Sequence, residues 1–244
     1  MLIKILMNFN NYFKFLFQSI LNFINPKLCT ICKINLDKTN TSSSDFLCKK
    51  CYYSLPIAPE SSLLLNQIFH NINKEDLYFE NVYALYRSDD EINFINLIHL
   101  LKYKGVKRIG YEFGKLLAKK VSNESNKIYD LVIPLPIHIA KKRERGYNQS
   151  DFIAKGFADE LNLSYDTKLA KRRKYTKSQT TLSAEQRITN VVNVFAIASS
   201  QKIINKNIII IDDVLTTGST LNNLAKSLKE SGAKSIDAAV LYKA

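Results

Sequence analysis

Apolar residues recur at helical spacing at the start of the chain, at Leu2, Ile5, Leu6, Phe9, Phe13, Leu16, Phe17, Ile20 and Ile24. Lys4, Asn8, Asn11, Lys14, Gln18 and Asn22 fall between them. This pattern predicts an amphipathic helix. No uninterrupted apolar run approaches the roughly 18 residues of a membrane span. The segment also lacks the basic start and continuous apolar middle of a secretory signal. Such a helix either docks on the chain's own cysteine-bearing segment or lies on a membrane surface or partner protein.

From residue 79 onward the pattern changes. A strand-like run, Phe79 to Tyr86, precedes a helical segment from Asp89 to Lys104 and a second one from Gly110 to Val121. An apolar strand then runs from Tyr129 to Pro134, a helix from Gln149 to Leu161, and a strand near Val192 to Ile197. The run Asn207 to Asp213, a helix after Gly218 and a last strand, Ser235 to Tyr242, complete the chain. Continuous apolar strands alternating with helices predict an α/β domain whose parallel sheet is covered on both faces. The expected division is residues 1–57, a helix plus a four-cysteine module, and residues 58–244, the α/β domain.

Composition agrees with an ordinary core, since 46% of the 244 residues are hydrophobic. One or two domains are expected. Charge adds a second clue, because 35 Lys+Arg against 22 Asp+Glu leave a formal net charge of +13. Nucleic acid, a phosphorylated metabolite and an anionic membrane are all partners such a balance suits. AT-rich coding, visible in the abundance of Ile, Asn and Lys, accounts for part of it equally well. The positions of the charges therefore matter more than their sum.

The four cysteines stand as Cys29-Thr-Ile-Cys32 and Cys48-Lys-Lys-Cys51. Each C-x2-C pair can occupy two corners of a tetrahedron, and two such knuckles close a four-sulfur structural zinc site without an open position. Two disulfides are the rival pairing, although no further cysteine suggests a disulfide-dense domain. The polar stretch Asp37 to Asp45 reads as the loop between the knuckles.

In a parallel sheet ligands sit at the carboxyl ends of the strands. There the chain carries Ile208-Ile-Ile-Ile-Asp212-Asp213-Val-Leu-Thr216-Thr217-Gly218-Ser219-Thr220-Leu221. A buried strand delivers two carboxylates to the sheet edge, and a loop of hydroxyls with one glycine opens the next helix. The N–H groups of that helix start make a concave anion site suited to a phosphate monoester. With no Gly-Lys-Ser/Thr, a triphosphate loop of the Walker type is excluded.

This segment resembles the phosphoribosyl pyrophosphate (PRPP) motif of type I phosphoribosyltransferases. Together with the cysteine module ahead of it, it resembles the ComF family of competence-associated proteins. The resemblance implies a Rossmann-like type I phosphoribosyltransferase fold preceded by a small zinc ribbon. It also implies that Asp212 and Asp213 bind ribose hydroxyls directly or through Mg²⁺, while Thr216, Thr217, Gly218, Ser219 and Thr220 cradle the 5-phosphate. Two further segments support it. The stretch Ile133-Pro134-Leu-Pro136, followed by Lys141-Lys-Arg143-Glu-Arg145-Gly146-Tyr147-Asn148-Gln149-Ser150, is similar to the family's Pro-x-Pro and Arg-Gly-Phe-Asn-Gln signature, with Tyr147 in place of Phe. Its basic cluster falls at a strand-to-helix junction and suits a pyrophosphate, with Arg143, Arg145, Gly146, Asn148 and Gln149 as substrate-binding candidates. The basic, hydroxyl-rich stretch from Leu169 to Leu182 resembles the family's flexible loop, with Arg172 and Arg173 as catalytic candidates beside Asp212 and Asp213.

The implied reaction displaces pyrophosphate from C1 of PRPP by a nitrogen nucleophile, with Mg²⁺ accompanying PRPP. A non-catalytic nucleotide sensor or an adaptor in DNA uptake is the alternative on the same fold. A third reading gives the basic clusters and the cysteine module a single-stranded DNA surface. The resemblance further implies competence proteins as partners and the bacterial cytoplasm, near the membrane, as location.

Overall fold

The computed structural model describes residues 28–36, 46–87, 107–173 and 194–244. The helices expected over 1–25 and 89–104, the loop over 37–45 and most of the flexible-loop stretch lie outside the described residues. Two compact units share the chain, one closing at Leu55 and the other opening at Pro56.

In the first unit the chain doubles back through an antiparallel bridge between Leu28 and Asn35. The backbone N–H and the hydroxyl of Thr30 both donate to the Phe46 carbonyl, tying the two knuckles together. Helix α1, Lys49–Tyr53, carries the last cysteine. Among the described residues of this unit, Leu36, Phe46, Leu47 and Leu55 are buried together with Cys29, Cys48 and Cys51.

The second unit opens with α2, Ser61–Phe69, and strand β1, Asn81–Arg87. Then follow α3, Lys107–Glu124, β2, Leu131–Pro134, α4, Ile139–Arg145, and α5, Gln149–Leu161. Short strands β3, Ser164–Tyr165, β4, Ala170–Arg172, and β5, Phe195–Ile197, lead to β6, Asn207–Leu215. Helix α6, Ser219–Glu230, and β7, Ser235–Lys243, end the chain. Five strands form one sheet in the order β1-β7-β6-β2-β3, and every pairing is parallel.

Strand β6 lies at the centre because it can be buried on both faces. Ile208 to Ile211 have no exposed surface. Ile208 and Ile210 join the core beneath α6, with Leu221, Leu224 and Leu228, and the alternating positions Ile209 and Ile211 face the other way. On that second face α3 and α5 pack closely. A Cβ at Gly114 would lie 2.1 Å from the Ile153 carbonyl oxygen, and one at Gly156 would lie 1.9 Å from that of Tyr111. Glycine is required at both positions by this close approach.

Two expectations are corrected here. The strand near residues 192–197 does not enter the parallel sheet, because β5 pairs antiparallel with β4 in a separate ribbon, Arg172 opposite Phe195 and Ala170 opposite Ile197. The basic cluster at 139–145 is a helix in its own right, not part of a simple strand-to-helix turn. It ends at Gly146, whose φ of 77° closes α4 in the left-handed conformation.

Candidate functional site

At the carboxyl ends of β2 and β6 the second unit encloses a cavity of about 310 Å³. Strand β6 contributes Asp212 and Asp213, the turn after it Thr216 and Gly218, and the first turn of α6 Thr220. Gly218, at φ 82°, caps α6 and sets the helix start beside the acids. Arg145 at the end of α4, Gln149 at the start of α5 and Arg172 on β4 also line it. Three stretches far apart in sequence thus meet in one hollow.

The other candidates lie elsewhere. Thr217 and Ser219 are exposed and their hydroxyls bond each other at 3.0 Å, off the cavity wall. Arg143 and Arg173 are exposed and line no part of it. Gly146 is the cap of α4. Asn148 is buried and holds the scaffold, donating from Nδ2 to the Leu135 carbonyl at 3.0 Å and to Asp151 Oδ1 at 2.8 Å. That pair of bonds ties the end of β2 to the start of α5.

Asp212 is buried and accepts a hydrogen bond from Ser150 Oγ at 2.9 Å. Burial, and then the neighbouring Asp213, hold its carboxyl well above the usual carboxylate range. Burial and the same two acids also push the Tyr242 phenol upward. Arg145 Nη1 donates to Gln149 Oε1 at 3.3 Å. Acids and guanidinium groups in one cavity lining suit a ligand that carries hydroxyls and anionic groups together.

Two residues, one in the cavity lining and one bonded to Asp212 from behind it, escaped the sequence reading. Ser150 has no signal of its own, since only the fold brings it to Asp212, 62 positions away. His138 lines the cavity and caps α4, its Nδ1 accepting the Ala140 N–H at 3.3 Å. A histidine directly after an apolar strand and a Pro-x-Pro turn was the available signal.

In the first unit the sulfurs of Cys29, Cys32, Cys48 and Cys51 lie within 4.8 Å of one another. None is disulfide-bonded, which removes the rival pairing. Cys32 Sγ and Cys48 Sγ are 3.7 Å apart. Sulfurs at zinc's roughly 2.3 Å bond length stand about 3.8 Å apart at tetrahedral corners. Burial opposes ionisation of Cys29, yet backbone N–H groups of Cys48, Cys32 and Ile31 bring its thiol down to about 7. Burial and the neighbouring sulfurs push Cys51 strongly upward. The four cysteines are positioned to bind a metal ion.

Residues 104–244 match the phosphoribosyl transferase domain. Over 111 residues the chain is 35% identical to Competence protein F of Haemophilus influenzae, covering 45% of this chain and 48% of that protein. Over 144 residues it is 30% identical to DNA utilization protein YhgH of Shigella flexneri, covering 57% of this chain and 63% of that one. The resemblance to the ComF family is thereby upheld, and the matches span from about half to under two thirds of the relatives' own lengths. Among solved structures, glutamine PRPP amidotransferase from B. subtilis, complexed with ADP and GMP, aligns at 19% identity and a TM-score of 0.39, over 52% of this chain and 26% of that one.

Proposed function

The chain belongs to the phosphoribosyl transferase domain family, and from that premise we propose that its β2/β6 cavity binds PRPP or a phosphoribosyl nucleotide. One observation carries this reading: the acid pair, the hydroxyl-lined start of α6 and two arginines share a single cavity. The 5-phosphate lies at Thr216, Gly218 and Thr220, where α6 offers free N–H groups. Asp212 and Asp213 accept from the ribose hydroxyls. Arg145 and Arg172 face the diphosphate with charge-assisted donors.

The two carboxylates are hard oxygen donors of the kind Mg²⁺ takes, and Mg²⁺ bound with the diphosphate supplies charge neutralisation. In the transfer the bond from C1 to the diphosphate oxygen breaks, a bond from C1 to a nitrogen nucleophile forms, and pyrophosphate leaves with the electron pair. The protein contributes position and charge. Arg172 stands at the base of residues 174–193 and reaches the cavity from there, with Arg173 next to it on the same segment. A sensor that binds the same ligand without turnover uses the same residues.

The names of the relatives support a role in DNA uptake or utilisation, with competence proteins as partners. The exposed basic residues Lys142, Arg143, Lys171, Arg172 and Arg173 also suit single-stranded DNA. The four cysteines hold a structural zinc ion that ties the two knuckles together. No helix among the described residues is long and apolar enough to cross a membrane. The resemblance to the ComF family supports the bacterial cytoplasm, near the membrane, as the location.

Calorimetric titration with Mg²⁺ and PRPP tests the reading. Saturable binding by the unaltered chain is expected, together with a loss of at least about 100-fold in the Asp212→Asn, Asp213→Asn variant. Absence of binding by the unaltered chain overturns it. Turnover across a panel of nitrogen bases then separates transferase from sensor.

A further inference from the structure

A second cavity, of about 280 Å³, lies beside the first and shares Pro136, Ile137 and Arg172 with it. Its lining gathers one sign of charge. Lys142, Lys168, Lys171 and Arg172 all line it and all are exposed, against a single carboxylate, Asp151. Burial raises that carboxyl above the usual range, while the hydrogen bond from Asn148 and the charge of Lys142 oppose the rise.

Elsewhere in the second unit, surface lysines find acids. Lys119 pairs with Glu160, Lys155 with Asp159, Lys202 with Asp166 and Lys206 with Asp130. The four cations of this chamber form no ion pair among the described residues, and Arg172 stands over the Phe195 ring, 5.9 Å from its centre. AT-rich coding raises the number of lysines, but it does not by itself gather unpaired ones around one hollow.

A hollow lined by like charges focuses their field and draws a counter-ion into it. The rest of the lining selects the kind. Pro136, Ile137, Ile139 and Ala170 supply apolar surface, and Ile139 keeps 44% of its surface exposed on a helix otherwise rich in charge. A small hydrated anion gains nothing from such a wall. A flat ring covers it, while a carboxylate on the ring edge takes charge-assisted donors from lysine and arginine.

We propose that this chamber binds a small flat ring carrying a carboxylate, an aromatic or heteroaromatic acid, with the ring against Pro136 and Ile139 and the carboxylate at Lys168 and Lys171. The site is separate from the phosphoribosyl cavity and does not depend on that cavity's ligand. Arg172 is the cation that both linings share.

The test titrates the full chain, at low ionic strength, with two pairs of rings that differ in charge, nicotinate against nicotinamide and benzoate against benzamide, and with acetate. Each acid is expected to bind at least about tenfold tighter than its amide, a preference that shrinks as salt is added. Acetate, which has the charge without the ring, is expected to bind at least about tenfold more weakly than either acid. Lys168→Gln, Lys171→Gln removes most of the preference for the acids, and Ile139→Ser weakens both acids by about threefold. All three positions are exposed, so the fold is retained. Absence of acid binding by the unaltered chain, or equal binding of acid and amide, overturns the proposal. Acetate that binds as tightly as the acids overturns it by leaving the apolar wall without a role, and acid binding that neither variant weakens overturns it by placing the ligand elsewhere. None of the three residues lines the phosphoribosyl cavity, and PRPP is titrated separately, so failure of that reading and failure of this one are distinguishable.

Discussion

The parallel sheet buries two aspartates at its opposite ends, and they are treated in opposite ways. Near the amino end of β7, Asp237 has no exposed surface and accepts from Lys127 Nζ at 3.0 Å, from the backbone and side-chain N–H groups of Asn81 at 3.2 Å each, and from the Tyr129 hydroxyl at 2.6 Å. Near the carboxyl end of β6, Asp212 is also buried, but its bond from Ser150 is opposed by a second carboxylate beside it. A paired, hydrogen-bonded buried charge holds a fold together. An under-compensated one in a cavity wall costs stability until a ligand or cation meets it. The difference assigns Asp237 to the scaffold and Asp212 to the site.

The contrast breaks most visibly at Asp237. Asp237→Ala leaves the Tyr129 hydroxyl and two Asn81 N–H groups unmet and takes one of Lys127's two carboxylate partners, Glu80 remaining at 2.9 Å, and about 3–4 kcal/mol of unfolding free energy should disappear in urea titrations. Ligand binding by the molecules that remain folded should persist. Tyr129→Phe removes one donor to the same carboxylate and should cost about 1.5–3 kcal/mol in the same titration. At the other end, Ser150→Ala should cost only about 1 kcal/mol, because the carboxyl it leaves behind can take up a proton. Its signature is a shift to higher pH of the range in which Mg²⁺–PRPP binds.

The smallest expected effect is a slope. Because the folded state holds the Asp212 proton more tightly than the unfolded chain does, the native protein binds more protons wherever the unfolded carboxyl has already ionised. Stability of the unliganded protein should therefore fall as pH rises above about 4, until Asp212 ionises in the folded state as well. Denaturant midpoints across pH should show this decline, and Asp212→Asn should flatten it.

Much of this arrangement is legible in the sequence. Four consecutive isoleucines ahead of two aspartates announce a central strand and its acidic end, and the apolar spacing from Gln149 to Leu161 gives α5 with its observed bounds. The cysteine spacing likewise brings four sulfurs together. What escapes is whatever depends on distant partners. The donors to Asp237 stand 156, 110 and 108 positions away, and Ser150 finds Asp212 only after both strand and helix are in place. Basic residues mislead for the converse reason. Arg143 and Arg145 look equivalent in sequence, but only Arg145, in the last turn of α4, lines the cavity.

Thermal unfolding of the unaltered chain and of Asp212→Asn, each with and without Mg²⁺ and PRPP, bears on all of this at once. Unliganded Asp212→Asn should melt higher than the unaltered chain at neutral pH, by about 2–4 °C for each kcal/mol regained, while losing the stabilisation that the ligand confers on the unaltered chain. A variant that melts lower, yet gains as much from the ligand as the unaltered chain does, would contradict the assignment of Asp212 to the site.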